Sequence, residues 1–258
     1  MTTSIETLRK DEQGFTLVEL AVVMIIIGLL IGGILKGQEL ITNARVTSTA
    51  AQLEAMGAAY NGFRDQFNAL PGDMANATGA TARLTGCGAA IASCANGDGN
   101  GIIGAVPGAA PAAAAGPLAG EGTNFYGQLL AGDFITGMDG TAPAAAIFGN
   151  QLPTAPVGGG FTAGDTRATV PPSATGFNIV EMRPAPYVVI TGTTAAVGAG
   201  QGVLTPQQAA TIDRRLDDGV PNTGSIVGQT GPAADCRQNA GVTYGSGANN
   251  VCVIAYRL

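Results

Sequence analysis

The chain contains no histidine among its 258 residues. That absence excludes Ser-His-Asp and Cys-His catalysis, and it excludes zinc held by imidazole. Basic residues are scarce as well: 12 Lys and Arg stand against 18 Asp and Glu, for a net charge of −6. Beyond the leader, Arg214-Arg215 is the only basic doublet, so no phosphate-binding surface is expected, and nucleic acid is not expected as a direct partner. The four cysteines, Cys87, Cys94, Cys236 and Cys252, lack metal-site spacing with further Cys or His ligands. The remaining carboxylates are scattered along the chain. No enzymatic activity is expected from them.

What is present begins at the amino terminus. Met1 to Gly14 is a short charged leader with Glu6, Arg9, Lys10, Asp11 and Glu12. It meets a run from Phe15 to Leu35 that is apolar apart from Thr16 and Glu19. At ~1.5 Å per helical residue that run can cross a bilayer core of about 30 Å. A conventional cleaved secretory signal would place small residues just after its apolar region. Here Gly32 and Gly33 lie inside the run, which continues through Ile34 and Leu35.

The string GFTLVEL followed by AVVMIIIGLLIGGIL resembles the class III signal of type IV prepilins and type II secretion pseudopilins. The resemblance implies cleavage by a prepilin peptidase between Gly14 and Phe15, N-methylation of Phe15, and an assembly role for Glu19, fifth in the mature chain. It further implies assembly with copies of itself and with other pilin-like subunits, through an inner-membrane assembly platform. The expected location is the inner membrane, single-pass with a periplasmic head, and then a pilus or periplasmic pseudopilus.

Glu19 has a physical case of its own. An acid inside a membrane run is costly and usually has a partner, and the free amine of Phe15 in a neighbouring subunit would supply one. Its other reading is a carboxylate snorkelling to the headgroup layer. Gly28, Gly32, Gly33 and Gly37 give GxxxG twice, which allows close helix approach in an apolar medium. The same glycines weaken a helix by ~1 kcal/mol each relative to alanine, so a softened segment is the competing reading.

Beyond the apolar run, Val46, Ala50, Leu53, Met56, Tyr60, Phe63 and Phe67 recur at steps of three and four, the spacing of one helix face. Pro71-Gly72 should end that helix. The expected fold is α+β: a lollipop like that of pilins, its long N-terminal helix packed on a small antiparallel sheet with long Gly/Ala/Pro-rich loops. Its divisions are the leader 1–14, the helix 15–68 with its transmembrane and assembly part at about 15–36, and the head 69–258. Strands are expected at 177–182, 186–191 and 251–256 from their β-branched and aromatic content. A short helix is expected near Phe125 to Ala131, and another from Thr205, where TPQQ supplies a capping box with proline at the first position.

Three cysteine pairings are open. The local one, Cys87 with Cys94 and Cys236 with Cys252, is the expectation for an exported head, and its second bridge would resemble the C-terminal disulfide loop of many pilins. Free buried thiols are the alternative.

Asn96, Asp98 and Asn100 alternate with glycine in NGDGNG, like the opening of a calcium loop. Position 12 is Pro107 rather than a bidentate Glu, so a calcium site would need a distant acid such as Glu121 or Asp133. A tight turn uses the same residues. Asp213, Asp217 and Asp218 crowd a helix C-terminus where negative charge is disfavoured. The expected remedies are Arg214 or Arg215 of a neighbouring subunit or a cation, against a solvated acidic helix end.

The functional expectation is a structural subunit of a type IV pilus or type II secretion-like filament. Its alternative is a minor tip subunit acting as an adhesin or substrate-binding module, with calcium as a candidate ligand.

Overall fold

The computed structural model describes residues 15–105, 107, 120–141, 146–168, 177, 181–194, 202–229, 236–238, 241–249 and 251–258. It forms two compact units, Met1–Asn43 and Ala44–Leu258. One helix, α1 (Leu17–Phe67), contributes to both.

In the first unit α1 carries the apolar run, and it is long and apolar enough to cross a membrane. None of the most hydrophobic window is buried. In the second unit Val46, Ala50, Leu53, Met56, Tyr60, Phe63 and Phe67 are all buried, so the spacing read from the sequence is the core face. The helix stops one turn before Pro71. Asn68 adopts φ 50° and donates its amide to the Arg64 carbonyl at 2.8 Å, a left-handed C-terminal cap of the kind asparagine tolerates.

Four strands make the main sheet in the order β1-β2-β6-β3, with β1 at Gly160–Asp165, β2 at Pro186–Thr191, β3 at Ile226–Gly228 and β6 at Ile254–Arg257. Every neighbouring pair is antiparallel. Alternation along the strands divides the apolar side chains between two faces. Phe161, Ala163, Val188, Ile190, Ile226 and Ile254 join the core built on α1. Tyr187, Val189, Val227 and Ala255 belong to a second cluster with Val253, Phe177 and Met182. Covering on both sides explains why β2 is buried at all six positions. Two-residue strands β4 (Arg237–Gln238) and β5 (Thr243–Tyr244) form a separate ladder.

The strand expected at 186–191 is β2. That expected at 251–256 begins as pairing of Cys252 with Leu204 and continues as β6. For 177–182, residues 178–180 lie outside the described residues, and Glu181 and Met182 are not in a strand. Strand β1 was not anticipated. Helix α2 runs Glu121–Ala131, one turn earlier than its apolar residues suggested. Helix α3, Pro206–Leu216, has Thr205 as N-cap and a complete capping box with Gln208. Cys87 is bonded to Cys94, and Cys236 to Cys252.

Candidate functional site

Among the described residues three places concentrate chemistry, one in the first unit and two in the second. In the first, Phe15 is 88% exposed and the apolar side chains of Leu17 to Leu35 are exposed along the helix. Thr16 and Glu19 form a reciprocal cap: the amide and the hydroxyl of Thr16 each donate to Glu19 Oε2 at 2.9 Å, and the Glu19 amide donates to Thr16 Oγ1 at 3.2 Å. This T-x-x-E pattern is a capping box, a local role for Glu19 that the reading of the sequence had not included. A β-carbon added at Gly28, Gly32, Gly33 or Gly37 meets nothing within 4 Å. Among the described residues, nothing packs on those glycines. Gly14 and the leader lie outside the described residues.

In the second unit, three acids from separate segments converge. Asp73 lies in the turn after α1, Asp98 in the NGDGNG loop, and Glu121 at the first position of α2. One carboxylate oxygen from each lies within 4.8 Å of the others. Asp73 accepts the amides of Gly99 at 2.8 Å, Asn100 at 3.0 Å and Gly101 at 2.8 Å. Glu121 accepts those of Asp98 at 3.0 Å and Gly104 at 2.5 Å, and its place at a helix N-terminus favours negative charge. Burial pushes the Glu121 carboxyl up to about 7, with Asp98 and Asp73 adding to the rise against the two amides. Burial also raises Asp73.

Of the three residues singled out from the sequence, only Asp98 belongs to this group. Asn96 Oδ1 accepts the Thr78 amide at 2.7 Å. Asn100 donates its Nδ2 to Asp98 Oδ2 at 2.7 Å and accepts the Ile102 amide at 2.7 Å. Both carboxamides thus shape the loop. Glu121 is the distant acid that the loop needed, while Asp133 stands outside the group. Asp73 was missed, and no local pattern in LPGDMANAT marks it.

The second acidic group, Asp213, Asp217 and Asp218, is satisfied differently. Asp213 accepts the Tyr244 hydroxyl at 2.7 Å and the Gly219 amide at 3.1 Å. Asp217 accepts the amides of Ser225 and Ile226. Asp218 accepts the Val220 amide at 2.8 Å and the Thr223 hydroxyl at 2.6 Å. Amides of the following loop and the hydroxyls of Thr223 and Tyr244 answer the charge within the chain, and among the described residues neither Arg214 nor Arg215 forms an ion pair within the same chain. Burial pushes Asp213 up to about 6, with Asp218 and Asp217 adding to it.

Compared with known proteins, residues 9–35 match the prokaryotic N-terminal methylation motif. No curated protein and no solved structure matches the chain. The N-terminal segment carries a type IV prepilin-like class III signal. Such a signal implies processing by a prepilin peptidase and assembly with pilin subunits, and the apolar helix behind it fits membrane anchoring.

Proposed function

We propose that this chain is a non-enzymatic structural subunit of a type IV pilus or a type II secretion-like filament. The precursor sits in the inner membrane with its head in the periplasm. Prepilin peptidase cuts between Gly14 and Phe15 and methylates the new amine, and the assembly platform then stacks the mature subunit with copies of itself and other pilin-like chains. Glu19 registers each subunit by pairing its carboxylate with a neighbour's Phe15 amine. The observation that supports this reading is the coincidence of the methylation motif at 9–35 with an apolar helix surface that no other described residue covers. Such a surface demands an apolar environment, first lipid and then other subunits.

Intact mass of the protein in sheared surface filaments tests the proposal. The expected species starts at Phe15 and carries one added methyl. A full-length chain in filaments, or one cut after Gly33, would overturn it. Abundance in the same preparation separates a main structural subunit from a minor tip subunit, which would be rare there.

A further inference from the structure

We propose that Asp73, Asp98, Glu121 and Asn124 form a site for one calcium ion, which ties the 96–104 loop to α2 and to the turn that follows α1. Calcium binds oxygen at about 2.4 Å, so ligands on opposite sides of the ion stand about 4.8 Å apart. The three carboxylate oxygens fall within that limit. Magnesium keeps several of its waters and takes one or two carboxylates beside substrate phosphates, so a cage of three carboxylates and a carboxamide suits calcium better.

Charge points the same way. Asp73 is 4% exposed and Glu121 fully buried, and among the described residues no Lys or Arg pairs with any of the three acids. Arg64 shares the neighbouring cleft with Asp73, but its guanidinium sits over the Tyr60 ring, 5.4 Å from the centroid. Backbone amides answer part of the buried charge. They do not separate the carboxyl groups of Asp73, Asp98 and Glu121, each of which has an oxygen within 4.8 Å of the others. Two facing carboxylates need a proton or a cation between them.

An independent observation comes from Asn124. It lies on the α2 face that carries Glu121 and Gln128, at helical spacings of three and four. Both neighbours on that face reach the same loops: Glu121 takes the amides of Asp98 and Gly104, and Gln128 accepts the Gly72 amide and donates to the Ala95 carbonyl. Asn124 is 1% exposed. Its Nδ2 lies 3.5 Å from the carbonyl oxygen of Asn96, two residues before Asp98, and its Oδ1 is buried without a hydrogen-bond partner. A buried acceptor left alone is unfavourable, and a carboxamide oxygen is a hard neutral ligand for calcium. A plain turn would account for the loop amides but leaves this oxygen unexplained. A cleft of about 400 Å³ opens beside Asp73, lined also by Asp65, Asn68, Gly99 and Gly101.

The test is calorimetric titration of the detergent-solubilised full chain, stripped with EGTA, using CaCl2 and then MgCl2. One calcium per chain is expected, together with a melting temperature that rises in millimolar calcium and not in magnesium. Asp98→Asn, at an exposed position, and Asn124→Ala should each weaken binding by about tenfold or more. Asp217→Asn, in the other acidic group, should leave it unchanged. An absent heat with an unshifted melt, equal binding of magnesium, or wild-type affinity in both Asp98→Asn and Asn124→Ala would overturn the site, as would loss of binding in Asp217→Asn.

Discussion

Replacing Gly97 with alanine adds one methyl group at the point where the NGDGNG loop touches the turn after α1. Its β-carbon would lie 2.4 Å from both Cα and C of Asp73 and 2.5 Å from the Gly72 carbonyl oxygen. All three obstacles are backbone, so no side chain can swing aside. Restoring ordinary contact displaces the loop by roughly 1 Å, an overpacking that costs about 1–3 kcal/mol. The displacement also pulls on the Gly97 amide bond to the Met74 carbonyl and the Gly99 bond to the Asp73 carbonyl, each 2.9 Å, worth about 1 kcal/mol apiece. For a unit the size of Ala44–Leu258, a loss of about 3 kcal/mol lowers the melting temperature by ~6–12 °C. Scanning calorimetry of the detergent-solubilised chain reads that shift, with Gly28→Ala as the control because its added carbon meets nothing within 4 Å. A Gly97→Ala melt within about 1 °C of wild type would refute the close approach, and with it the geometry that brings Asp98 to Asp73.

The capping box sharpens the test of Glu19. Glutamine also closes such a box, so Glu19→Gln removes the charge while keeping the cap, and Glu19→Ala removes both. Both variants are expected to be cleaved and membrane-inserted yet scarce in sheared filaments; a glutamine variant that assembles normally beside a failing alanine variant would assign Glu19 to the helix start alone. A second expectation concerns pH in the metal-free chain. Glu121 rises from 4.5 to about 7 and Asp213 from 3.8 to about 6, so the folded state holds protons that the unfolded state has lost. Their contribution is full below the unfolded values and disappears as pH climbs through about 6 and about 7. The stability of Asp213→Asn relative to wild type should therefore grow between acid and neutral pH, by on the order of 1–2 kcal/mol after solvent screening, and denaturant titrations showing a constant difference would contradict the shift.

Legibility in the sequence followed the range of the interaction. The stripe from Val46 to Phe67 and the capping box at Thr205 are set by residues three or four apart, and both stand in the structure where the spacing put them. Strand β1, GFTAGD, has low intrinsic preference for a strand. It is held by pairing along its whole length with β2, a partner some 25 residues distant that no local pattern announces. The acidic group shows the same division. The loop around Asp98 was visible because turn residues alternate there, whereas Asp73 comes from another segment and is recruited only because Gly97 allows two backbones to meet.

The glycines carry this distinction one step further. In the head, Gly97 and Gly127 lie against backbone that a β-carbon would strike, 2.4 Å from Asp73 and 2.3 Å from the Ser93 carbonyl oxygen. Those glycines have their reason inside the chain. Gly28, Gly32, Gly33 and Gly37 have none among the described residues, since no added carbon would meet anything within 4 Å, while each costs a helix ~1 kcal/mol relative to alanine. The same stretch exposes Ile25, Ile26, Leu29 and Ile31. A helix that sacrifices propensity for small residues, on a surface that no other described residue covers, is suited to completion by another molecule. Lipid alone would be served as well by alanine or leucine. Close approach of neighbouring helices is the use that glycine serves better, and the assembly role proposed for the first unit would employ it, whereas a softened helix would be the use if no neighbour packs there.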